Sequence, residues 1–223
     1  MRVTKPRKSV VIGVMMLASA GLIGASVASS NASGDPITGT TTTQAKLRPL
    51  NNSPVQGRAE VVVEGRTLKV SVHARRLVRN MPHAQHIHFG KRARHECPNV
   101  RDDDNHDHRL NTVEGTPAYG PVRVSLTKRG DTSVDSTLAV NRFPTAPQRE
   151  IHYNRHIKVG SKLARKIANG NAVVVIHGID YNGNGKYDFR GAGRSELDPS
   201  LPAEATDPVT CGVLKVQEPL QVP

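Results

Sequence analysis

Apolar residues recur at every second position in several short stretches of this chain. Thr67 to Ala74 gathers Leu68, Val70 and Val72 on one side, and Gly57 to Glu64 alternates before closing on Val61-Val62-Val63. Successive side chains leave a strand on opposite faces, so this period marks a strand with one buried side. Glu64-Gly65-Arg66 separates the two stretches, and the pair predicts a β-hairpin. Pro121 to Thr127 predicts another strand, with Val122, Val124 and Leu126 together. Glu150 to Val159 predicts one more. Its Ile151, Tyr153 and Ile157 share the inner face, and its His152, Asn154 and His156 face solvent, the two histidines read as non-ligands. Ala172 to His177 is a continuous apolar run and predicts a buried strand. Only Ser161 to Ala168 has helical character, with Ser161 placed to cap it and Gly170 to stop it. Short strands, frequent turns and one short helix predict an all-β domain, a β-sandwich or Greek-key barrel.

The ends read differently. Arg2, Lys5, Arg7 and Lys8 precede the nearly uncharged run Val10 to Ala28, with small residues at Ala28, Ser30 and Ala32. That order predicts an export signal over 1–33, the alternative being a membrane anchor, since the run is nearly long enough to span. Export places the mature protein in a secreted, cell-surface or periplasmic setting, touching a membrane only through the signal. Segment 34–56, rich in Thr, Pro, Asn and Ser, reads as a flexible lead into a single domain over 57–218.

Composition narrows the partners. The formal charge of +12 includes four basic residues of the signal and leaves the mature part at about +8. That balance suits a solvated basic surface, anionic cell-surface polymers or a small anion such as superoxide. Nucleic acid is a poor fit, because Trp is absent, aromatics are 3 % and no stacking platform is visible. Cys97 and Cys211 are the only cysteines. In an exported chain an even pair is most simply a disulfide, with two thiolate metal ligands as the alternative.

Chemistry concentrates on histidine. His86 and His88, in Gln85-His86-Ile87-His88-Phe89-Gly90, are two apart and share a face of any strand that holds them. His177 ends its apolar run beside Gly178, which lets other groups approach closely. Three neutral imidazoles suit copper or zinc, and the sequence does not choose between the metals. His106 and His108 are the candidates for a fourth ligand. His83 has the wrong parity to join them, and His95 lies in a basic stretch beside Cys97. Zinc hydrolysis lacks a general base near these histidines.

Two oxygen-rich loops add calcium to the candidates. Asp103, Asn105, Asp107, Asn111 and Glu114 fall at positions 1, 3, 5, 9 and 12 of a calcium loop, with His108 where glycine belongs. Asp180, Asn182, Asn184 and Asp188 fall at positions 1, 3, 5 and 9, with Gly185 at position 6. Gly191 stands where the bidentate glutamate belongs, unless Glu196 reaches in. The alternative for both loops is an Asn/Gly turn held by side-chain to backbone hydrogen bonds.

Taken together, these segments resemble the copper/zinc superoxide dismutase-like superfamily, and more closely its secreted bacterial members of the CHRD-domain type. The Gln85–Gly90 run resembles that family's strand with two copper histidines, and Ala172–Gly178 its strand ending in a third. Thr210-Cys211-Gly212-Val213-Leu214 resembles its terminal strand, and Cys97 its other disulfide cysteine. The resemblance runs from about residue 57 to 216. It implies a Greek-key barrel, copper on His86, His88 and His177, and a Cys97–Cys211 disulfide. The departures are the zinc site, for which only His106 and His108 remain, and the substrate-guiding arginine, whose position holds Pro208. Two functions follow as expectations. One is a copper-binding protein able to dismute superoxide. The other is a non-catalytic β-domain, stiffened by calcium, acting as a cell-surface structural or interaction module.

Overall fold

The computed structural model describes residues 39–218, so the segment read as an export signal lies outside the described residues. Nine strands form one antiparallel sheet: β1 (Thr40–Pro49), β2 (Gln56–Glu64), β3 (Thr67–Arg75), β4 (Gln85–His88), β5 (Val122–Ser125), β6 (Glu150–Lys158), β7 (Val173–His177), β8 (Pro208–Val213) and β9 (Lys215–Val216). Their order is β5-β4-β7-β8-β1-β2-β3-β6, with β9 beside β1. The neighbours β3 and β6, and β4 and β7, are not consecutive in sequence, which is the crossover pattern of a Greek key. The sheet curls so that the side chains of edge strand β6 reach the segment after β5. Tyr153 Oη donates to Thr127 O at 3.1 Å, and Arg155 Nη1 donates to the same carbonyl at 2.6 Å. Side-chain bonds therefore stand between β5 and β6, where no ladder pairs them.

The hairpin and β6 lie where the alternation predicted, and β7 where the apolar run did. Val61, Val63, Leu68, Val70, Val72, Ile151 and Ile157 all face the core, with Ile87, Val174 and Ile176 from the other half of the sheet. Segment 34–56 is corrected over its described residues. Residues 40–49 form a strand paired with β2 from Thr40↔Glu64 to Leu47↔Gly57, and Thr43, Ala45 and Leu47 are buried. Threonine is β-branched and suits a half-buried pleat, so a Thr-rich stretch is as much strand material as linker material.

The helical content is also larger than predicted. Helix α1 (Thr112–Tyr119) precedes α2 (Ser161–Ala168), and two single turns follow, α3 (Phe189–Ala192) and α4 (Ala203–Thr206). Helix α2 keeps its expected bounds, but its N-cap is Gly160 and Ser161 makes no capping bond. Among the described residues no helix is long and apolar enough to cross a membrane.

Strand β7 is buried along its whole length because it is covered twice. Val174 and Ile176 point into the main core. Val173 and Val175 point to the outer face, where they pack with Tyr119, Leu50 and Cys211 in a second, smaller core. Two covered faces explain the unbroken apolar run. The outer layer consists of α1, the segment between β5 and β6 and the excursion between β7 and β8, and the Cys97–Cys211 disulfide ties the α1 side to β8. No free cysteine remains among the described residues, so the thiolate-ligand alternative falls away.

Candidate metal centre

The two-residue spacing puts His86 and His88 on the outer face of β4, while Ile87 between them enters the main core. Strand β7 lies beside β4 in the register Gln85↔Ile176 and His86↔Val175, so His177 is the diagonal neighbour of His86 on that face. The three rings meet there. Centroids are 5.6 Å apart for His86–His88, 5.2 Å for His86–His177 and 6.2 Å for His88–His177. Each ring can offer a ligand atom within 4.8 Å of the others, and all three side chains are buried.

Each ring is oriented by a backbone carbonyl from the covering layer. His86 Nε2 lies 3.1 Å from Thr137 O, His88 Nδ1 2.7 Å from Gly120 O, and His177 Nδ1 2.6 Å from Thr206 O. A carbonyl can only accept, so each of these nitrogens carries the proton. The opposite nitrogens, His86 Nδ1, His88 Nε2 and His177 Nε2, therefore present lone pairs. All three are buried, and none has a hydrogen-bond partner. A buried polar atom without a partner is destabilising, and three in one place could serve as the donor set of a metal ion. Second-sphere carbonyls that fix ring tautomers are a recurring feature of such sites.

The electrostatics agree. Burial pushes His88 down to about 3 and His177 to about 4, and pushes His86 well below its ordinary value, with the neighbouring rings adding to the effect on His86 and His88. Neutral imidazole is the form that ligates. Tyr119 and Phe143 close the site with their rings, 4.5 Å from His88 and 5.3 Å from His86. Gly115 makes room for the first of these, because a Cβ there would stand 2.5 Å from the Tyr119 ring. A small pocket opens over the triad between Leu138, Val140, Leu197 and Leu201, and no charged side chain is among its described lining residues.

The other expected ligands lie elsewhere. His106 and His108 are exposed on their loop, outside the triad's reach, which corrects their reading as fourth ligands. Both sit in the left-handed region, at φ 59° and 63°, within the turns of that loop. His83 packs behind His177 instead, with Nδ1 3.0 Å from His177 O and the Tyr187 hydroxyl 3.1 Å away. Gly178 is what allows this, since at φ 105° a Cβ would meet Tyr187 Oη at 2.2 Å and His83 Nδ1 at 2.9 Å. His95 stacks on Phe89, away from the triad.

The oxygen-rich loops form the tight turns that their asparagines and aspartates allow. Asp103 accepts from the backbone N–H of Asp107 and His108, Asn105 from Asp107, and Asp107 from Arg109. Glu114 accepts from the N–H of Asn111, forming the capping box of α1. In the second loop Asp180 accepts from Asn184 and Gly185, Asn182 from Asn184, and Asn184 from Lys186, while the Asp188 carboxylate is held by the Asn182 and Asn184 amides. Glu196 does not reach this loop; it lies 3.6 Å from Arg109. The carboxylate beneath it is Glu204 of α4, fully buried, which accepts from the N–H of Tyr181 and Asp188. Among the described residues neither loop brings three histidine or acidic ligand atoms within 4.8 Å of one another.

The loops and the triad share a support. Arg109 Nη1 donates to the buried Asp207 at 2.8 Å, and Tyr181 Oη donates to the same oxygen at 3.0 Å. Asp207 follows Thr206, whose carbonyl holds His177. Burial raises the Asp207 carboxyl to about 7 against the pull of Arg109. The fold and site thus define an antiparallel Greek-key β-domain with a disulfide and a buried three-histidine centre able to hold a metal ion. No protein-family model matches the chain, and a search of curated proteins finds no match.

Proposed function

We propose that the domain is an exported, copper-holding protein of the superoxide dismutase-like kind. The observation that carries the reading is the set of three unpartnered, buried ring nitrogens on His86, His88 and His177, each opposite a nitrogen held by a backbone carbonyl. An all-imidazole set without a carboxylate suits copper. Copper supplies one-electron chemistry, which is what dismutation of superoxide needs. The chain's part is to keep the three rings neutral, hold their tautomers, and bury the centre under Tyr119 and Phe143. Sequence resemblance supports the same reading through the order of the His-x-His strand, Cys97, His177 and Cys211. The zinc half is missing from the proposal, because His106 and His108 face solvent.

The test is copper titration of the purified chain against a His86→Ala/His88→Ala variant. Wild-type protein should bind one copper ion per triad, and the variant should lose it. Equal copper affinity in the two would refute the proposal.

A second reading, a non-catalytic module stiffened by calcium, draws on two observations. The pocket over the triad offers no cationic side chain to guide an anion. Glu204 also lies under the Asp180–Asp188 loop, where Gly191 leaves the expected glutamate missing. A superoxide assay on copper-loaded protein separates the two readings, since bound copper without turnover favours the module.

A further inference from the structure

The outer face of the hairpin carries a second group of metal-ligand side chains, remote in sequence from the triad. Strands β3 and β6 pair in the register His73↔His152, so these two histidines lie directly across from each other. Their rings stack with centroids 4.3 Å apart and planes 23° from parallel. Glu150 shares the face of His152, two positions along β6. Its Oε2 stands 3.6 Å from His73 Nε2 and 3.4 Å from His152 Nε2. The three side chains offer ligand atoms within 4.8 Å of one another.

Two details set this group apart from ordinary surface decoration. His73 Nε2 is shielded from solvent and has no hydrogen-bond partner, although the rest of its ring is partly exposed. Glu150 faces Arg75 directly across the ladder, yet its ion-pair contacts are with the two imidazoles and not with that guanidinium. The carboxylate therefore turns toward the histidines where the register would have it meet the arginine.

We propose that His73, His152 and Glu150 form a second metal site, for a zinc-class divalent ion, on the solvent face of β3 and β6. Two imidazoles and one carboxylate make a familiar zinc ligand set, with the fourth position left to water. Ligands from both strands would cross-link edge strand β6 to β3. An edge strand has a ladder neighbour on one side only, so a metal clamp there acts where the sheet is least supported. The site differs from the triad in donor set, exposure and position, and it does not depend on how the triad is read.

Zinc titration of the purified chain, by equilibrium dialysis and chelator competition, tests the assignment. His152 and Glu150 are on the solvent face, so His152→Ala and Glu150→Gln should keep the fold, with circular dichroism as the check. His73→Asn completes the set, and His156→Ala is the control on the same strand. Wild-type protein should take up one zinc equivalent that His152→Ala loses. Glu150→Gln and His73→Asn should bind that equivalent at least about tenfold more weakly, and His156→Ala should retain it. Zinc held by the triad would be present in every sample, so the difference between wild type and variants reports this site alone. Unchanged stoichiometry and affinity in His152→Ala would overturn the proposal. So would loss in His156→Ala, or loss in His152→Ala with Glu150→Gln and His73→Asn both unaffected.

Discussion

Acid should destabilise the metal-free domain as the pH falls below about 6.5. Four histidines are buried: His86, His88 and His177 in the triad and His83 behind it. In the folded state burial holds His83 and His177 at about 4 and His88 at about 3, while an unfolded chain returns them to about 6.5. Between these values the unfolded chain binds more protons, so stability is intact above pH 6.5 and is lost as pH falls. At pH 5 each of the three rings contributes a loss of about 2 kcal/mol, and His86 adds to it with the same sign. Asp207 works in the opposite direction. Its carboxyl, raised to about 7, gains a proton in the folded state first and offsets about 2–3 kcal/mol. His83, His88 and His177 less Asp207 leave a net loss of about 3–4 kcal/mol, to which His86 adds, a large part of the whole stability of many domains. Urea denaturation in the presence of a chelator reads it directly. With a slope of about 2 kcal/mol per molar, the midpoint should fall by about 1.5–2 M or more between pH 7.5 and pH 5. Copper-saturated protein should hold its midpoint to lower pH, because the metal competes with protons for the same nitrogens. A chelated protein whose midpoint stays constant across that range would refute the account of four neutral, desolvated rings.

Three further outcomes are expected. Replacing Cys97 and Cys211 by alanine releases a crosslink across 114 positions and should lower stability by about 4–5 kcal/mol on the chain-entropy model, seen as a lower urea midpoint. The same variant should bind copper more weakly, because the released segment leads into α1, which supplies Tyr119 and the Gly120 carbonyl over His88. On the module reading, millimolar calcium raises the melting temperature of the wild-type chain, and Asp180→Ala abolishes the rise. No shift in the wild type would remove calcium from the module reading.

Much of the strand pattern was legible from alternation alone, because one buried face imposes period two on any sequence that forms it. The hairpin over Gln56–Arg75 and β6 follow from that rule, and β7 from its unbroken apolar run. The missed elements have identifiable causes. Helix α1 carries a capping box, Asn111 with Glu114, that could have announced it, but Gly115 and Pro117 inside the run read as breakers. Pro117 lies in the last turn of this eight-residue helix and removes one backbone donor from it, and Gly115 is required by the Tyr119 ring. Strand β1 was hidden by composition, since its threonines and polar neighbours look like linker until β2 pairs with them. His73 escaped notice because an outward histidine on an alternating strand looks solvated, and its partners lie on a strand far along the chain.

Spacing determined that His86 and His88 share a face, and the apolar run of 172–177 determined that His177 ends a buried strand. These are local consequences of backbone geometry. Sheet order alone made β4 and β7 neighbours, and the register set His177 diagonal to His86. Carbonyls from Gly120, Thr137 and Thr206 then decided which nitrogen of each ring is protonated and which faces the centre. A lone pair's direction depends on what its ring leans against, and those supports come from segments that only folding brings together.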